Sequence, residues 1–147
     1  MSLKAQKYLE SLKKMNDRIN RTIEQADALK ASLLGSGIDY SKDHVQVSPE
    51  DRMSKIMSEY VDLNEYINAS IDRYVDFKQR IIDQIGGLAD PDQRDILLMI
   101  YVDFKSVNKV AARMGKSRRW VFHKKDKALN IFESQYLVKN NVQGTTS

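Results

Sequence analysis

Between Ser106 and Asp126 the sequence reads SVNKVAARMGKSRRWVFHKKD. Two short apolar-patterned stretches flank a glycine, with guanidinium and ammonium groups crowded around it. Ala111 is small enough to let two helices cross closely. Four residues on, Gly115 tolerates the left-handed backbone of a tight turn, and six further on Val121 returns an apolar side chain to the crossing. Val110 supplies a second core contact. This is helix-turn-helix spacing, the arrangement that lays its second helix in the major groove of DNA. With Val121 and Ala128 inward, Ser117, Arg118, Arg119, Phe122 and His123 face outward as candidate base readers. A guanidinium forms paired bonds to guanine O6 and N7, and an aromatic ring meets a thymine methyl. Lys105, Lys109, Lys116, Lys124 and Lys125 are candidates for phosphate contacts, which position a protein without reading sequence.

The charge distribution supports a polyanionic partner. The 147-residue chain carries a formal net charge of only +4. Residues 104–132 hold nine basic side chains against one acid, Asp126, a local charge of +8. The remainder carries fifteen basic and nineteen acidic residues, a charge of −4. A basic segment on an otherwise acidic chain is the electrostatic footprint of nucleic acid binding.

Other chemistries find little support. The absence of Cys removes thiol nucleophiles, thiolate metal sites and disulfide scaffolds. His44 and His123 stand alone, without partners at metal-ligand spacing. Asp90, Asp92 and Asp95 crowd a helix start, where acids complement the helix dipole. Gly35-x-Gly37 and Gly86-Gly87 lack the strand-loop-helix setting of a phosphate loop. No nucleophile–base arrangement is present, so neither an enzyme nor a cofactor is expected. No apolar run approaches a membrane span of about 20 residues, and no signal peptide is expected at the N-terminus.

The elements that must position the basic segment follow from periodicity. Ala5, Leu12, Ile19, Ala26 and Leu33 recur every seven residues, with Leu9, Met15, Ile23 and Leu29 beside them. That predicts a helix from about Leu3 to Leu34, capped by Ser2 and stopped by Gly35-Ser36-Gly37. Residues 35–48 read as a polar loop. Ser48-Pro49 opens a second helix, in which Met53, Tyr60, Ile67, Tyr74 and Ile81 recur every seven residues. Ile56, Leu63, Ile71, Phe77 and Ile85 complete its seam, and Gly86-Gly87 ends it. Two such stripes predict an antiparallel hairpin of coiled-coil character. Three shorter helices follow, opened by Asp90-Pro91, Ser106 and Ser117.

Residues 88–132, LADPDQRDILLMIYVDFKSVNKVAARMGKSRRWVFHKKDKALNIF, resemble region 4 of sigma-70-type factors. The likeness rests on the helix around Pro91 and from Arg94 to Tyr101, the Ser106-to-Ala111 helix, the Gly115-x-Ser117 turn and Lys127-Ala128-Leu129. It covers about a third of the chain. The whole chain is similar to small, mostly uncharacterised phage and prophage proteins of Gram-positive bacteria, some of whose relatives activate late transcription. No segment resembles the sigma regions that bind the −10 element and melt DNA, so a complete sigma factor is not implied. Lys124 departs from the pattern by standing where an apolar residue is usual, and Trp120 by standing where a small or polar one is usual.

The expected fold is therefore all-α: a helical hairpin over residues 2–87 for association, a DNA-binding domain over residues 88–137 and a flexible tail over residues 138–147. The expected function is sequence-specific binding of double-stranded DNA by a phage-type transcription regulator in the cytoplasm of a bacterial host. It would act as a homo-oligomer, a dimer by preference, and would recruit RNA polymerase. The rivals are a DNA-packaging recognition subunit like the phage small terminases and a protein-only adaptor of RNA polymerase.

Overall fold

The computed structural model describes residues 2–35 and 48–138. His44 and the tail beyond Val138 lie outside the described residues. Among these, every regular element is helical: α1 (Leu3–Leu33), α2 (Pro49–Gly86), α3 (Pro91–Leu97), α4 (Val107–Met114) and α5 (Arg118–Phe132). π-helical segments, Leu98–Val102 and Glu133–Val138, extend α3 and α5. No described helix is long and apolar enough to cross a membrane.

Local chemistry sets the helix starts. The Ser2 hydroxyl accepts from Ala5 N–H and the Ser48 hydroxyl from Asp51 N–H. Asp90 accepts from Asp92 N–H, and Pro91 stands in the first turn, where a missing N–H costs nothing. Arg94 then reaches back, its guanidinium donating to Leu88 O at 2.7 Å and to Ala89 O at 3.2 Å. That pins the link between α2 and α3.

The described chain forms two compact units, dividing inside both long helices rather than at the 87/88 boundary that the glycine pair suggests. The first holds residues 2–15 and 74–138. Its main core joins Ala5, Leu9 and Leu12 of α1 to Ile81 and Ile85 of α2, and to Leu97, Leu129 and Phe132 farther along the chain. Each such buried side chain stabilises the fold by about 1.5–3 kcal/mol. Tyr8 ties the layers together: its hydroxyl bonds Gln84 Oε1 at 2.9 Å and its ring meets Phe77 edge-on.

The second unit holds residues 16–35 and 48–73. Ile19, Thr22, Ala26, Ile67 and Ser70 are its buried positions. Ala28, Leu29 and Ser32 of α1 share a shallow groove with Glu59, Asp62 and Leu63 of α2. Ile71, expected in the inward seam, is 39% exposed instead. The inner row runs Leu63, Ile67, Ser70, in steps of four and three, so Ser70 occupies the inward place and Ile71 is turned away.

Gly87 is a sterically constrained position. A Cβ there would overlap Tyr136 Oη of the last π-helical segment, whose ring lies 5.0 Å from that of Phe132. Gly87→Ala is therefore expected to destabilise the chain by about 1–3 kcal/mol through overpacking. In urea unfolding, Gly87→Ala/Tyr136→Phe should lose less than the sum of the two single variants. Equal sums would show that the contact does not set the cost.

Candidate nucleic-acid interface

The interface is built on the crossing of α4 and α5. Val110, Ala111 and Val121 form one buried cluster with Ile96 of α3, with Met99, Ile100, Val107, Met114 and Trp120 around it. Val110 and Val121 are fully buried, so the rotation of α5 about its own axis is set by an apolar contact. Gly115 closes α4 at φ 66°, the left-handed conformation expected of it. Its N–H and that of Lys116 bond back to Ala112 O and Ala111 O. The Ser106 hydroxyl accepts from Lys109 N–H at 3.2 Å, and the Ser117 hydroxyl from Trp120 N–H at 3.1 Å. Both helices are thus capped at the residues the sequence indicated, and their starts hold no acid in the first turn.

Ser117, Arg118, Arg119, Phe122 and His123 are all exposed along the first turns of α5. Arg118 lies over the Phe122 ring at 5.7 Å and Lys125 at 5.2 Å. Such contacts hold a cation in place by about 0.5–1 kcal/mol at exposed sites. The positive end of the α5 dipole points out of the same end of the helix.

The candidate phosphate contacts divide. Lys109 and Lys116 are exposed, with Lys116 at 5.2 Å from the Trp120 ring. Lys105 and Lys125 are half-buried. Lys124, also a phosphate candidate but at a position where an apolar residue is usual, has its Nζ paired with Asp90 Oδ2 at 3.0 Å and 5.7 Å from the Trp120 ring. A lysine at an otherwise apolar position is thus accommodated by running its stem along Trp120 to a carboxylate 34 residues earlier.

Sequence reasoning took Asp90 only as a helix cap. The signal for more was Lys124 itself, a charge at a core-facing position that needs a partner. The Asp90 carboxyl is held below the usual carboxylate range, first by its hydrogen bond from Lys124, with Asp92 N–H adding to it. Asp126, the acid of the basic segment, acts on Tyr101. Burial pushes the Tyr101 hydroxyl up to about 12, and the Glu10 and Asp126 carboxylates add to the shift. Among the described residues no group of three or more His, Asp or Glu side chains could hold a metal ion.

The fold and this surface define an all-α protein with a capped, basic helix presented on a small apolar crossing. Residues 33–133 match the family described as "Protein of unknown function (DUF1492)", and the chain belongs to that family. The matched span contains the whole α4–α5 surface. No curated protein and no solved structure matches the chain.

Two outcomes are expected. Gly115→Ala should cost about 1–2 kcal/mol in thermal or urea unfolding, because a Cβ opposes the left-handed turn; Gly115→Asn should cost less. The Asp90–Lys124 contact contributes stability above the unfolded carboxylate pKa of about 4, and that contribution disappears as pH falls through the lower folded value. Asp90→Asn should therefore flatten the acid limb of a stability–pH profile. An unchanged limb would mean that the pair contributes nothing.

Proposed function

We propose that this chain is a sequence-specific DNA-binding transcription regulator of phage or prophage type. In this reading α4 and α5 are a helix-turn-helix resembling sigma-70 region 4, α5 enters the major groove, and the chain works as a homodimer that contacts RNA polymerase. The observation that carries it is the exposed row Ser117, Arg118, Arg119, Phe122 and His123 at the N-terminal end of α5, set by the buried Val121 crossing. That end of a recognition helix is where base edges are met. Arg118 and Arg119 suit guanine, while Lys109 and Lys116 suit phosphates on either side. The acidic remainder of the chain disfavours a second polyanion surface elsewhere.

The test is selection of bound duplexes from a fragment pool of the replicon that encodes the chain, across a salt series. A few enriched fragments near promoters, with affinity falling steeply as salt rises, are the expected result. Enrichment at a packaging-initiation region would instead favour the terminase-like reading. No duplex binding at low salt, with retention of polymerase, would favour the adaptor.

Variants separate the roles. On the selected duplex Arg119→Ala should cost about 1–3 kcal/mol and relax the preference at one base pair. Lys109→Ala should weaken all sequences alike and lower the salt slope by about one. Lys124→Met should lower folding stability yet leave the salt slope unchanged, since Lys124 is committed to Asp90. A reduced slope would place Lys124 on a phosphate.

A further inference from the structure

The α2 helix carries a second apolar row besides the one it buries. Met57, Val61 and Ile71 are 50%, 45% and 39% exposed, with Asn64 and Asn68 between them. The steps are four, three, four and three residues, the spacing of a coiled-coil seam. At about 100° per residue these positions fall on one face, which borders the buried Ile67 and lies away from the buried Ser70. Along the sequence the same step leads on to Val75.

The row is self-complementary about position 66. Val61 and Ile71 stand five residues either side of it, and Asn64 and Asn68 two either side. Met57 and Val75 match in the same way along the sequence. An antiparallel copy related by a twofold axis at that point brings Val61 against Ile71 and Asn64 against Asn68. Amides inside an apolar seam need amides opposite them, and this register supplies them. The Asn68 side chain has no hydrogen bond within the described chain, and Asn64 uses only its amide nitrogen, donating to Tyr60 O at 3.0 Å. Exposed acids, Glu65 and Asp72, flank the row and disfavour nucleic acid on it.

We infer that the Met57–Ile71 face of α2 is an isologous dimer interface that seats a second copy of this chain antiparallel to the first. The inference sharpens the homodimer reading above but needs no DNA: it can fail while duplex binding stands, and the reverse. A seam of so few residues is small beside the roughly 800 Å² per partner of a stable interface, so the dimer is reversible. Glu65 falls beside the axis and faces its own copy, which weakens the dimer at low salt.

The test is sedimentation equilibrium of the full chain from low to high micromolar concentration. A monomer–dimer equilibrium is expected, tightened by Glu65→Gln. Val61→Glu/Ile71→Glu should weaken it at least tenfold, with the far-ultraviolet circular dichroism unchanged because both positions are exposed. The chain has no Cys, so cysteines report the register. A mixture of Asn64→Cys and Asn68→Cys chains should oxidise to a cross-linked dimer faster than either alone. A monomer at every concentration overturns the inference. So does a dimer indifferent to Val61→Glu/Ile71→Glu, as when another surface associates. Preferential cross-linking of Asn64→Cys to itself does the same, since it marks a parallel pair.

Discussion

The burial of Val121 against Val110, Ala111 and Ile96 is the constraint on which the surface chemistry depends. A helix of fifteen residues can turn about its axis at little cost unless one side chain fixes it. Val121 is fully buried, and it stands four residues after the Ser117 cap. Arg118, Arg119, Phe122 and His123 then have no freedom to face anywhere but outward. Ala111 matters because it is small: a larger residue would push α5 away and rotate that row. Gly115 matters because the turn is too tight for an L side chain without strain.

Around that crossing the chain uses polar contacts to hold what apolar burial leaves loose. Asp90 caps α3 and grips Lys124 of α5, so one carboxylate fixes both a helix start and a neighbouring helix. Arg94 fastens the same junction from its other side through Leu88 O and Ala89 O. The larger core of that unit, from Ala5 and Leu9 to Leu129 and Phe132, buries the same side of α5 farther along the helix. The basic helix is thus supported by apolar contacts from two clusters, while its charged row stays in solvent.

Much of this was legible in sequence because local rules decide it. Ser48, Asp90, Ser106 and Ser117 cap helices, and Gly115 adopts the positive φ, as residue type and spacing indicate. The seven-residue recurrence of Ala5, Leu12, Ile19 and Ala26 marks buried positions. What was hidden depends on residues far apart in the chain. The Asp90–Lys124 pair spans 34 residues, and no local pattern encodes it. Ile71 reads as a core residue by type but is displaced by Ser70, because two overlapping seams run along α2 and apolar character does not say which faces inward. The division of the long helices into two units likewise follows from where the later helices dock, not from the glycine pair at 86 and 87.

The central claim, that the exposed row of α5 reads DNA, is tested most directly by amide-resolved NMR of the full chain titrated with its selected duplex. The largest shifts are expected on Ser117, Arg118, Arg119, Phe122 and His123, with smaller ones at Lys109 and Lys116, and scrambling the duplex is expected to remove the first set but keep the second. Shifts confined to other faces, or an α5 row that stays unperturbed while duplex is bound, would contradict it.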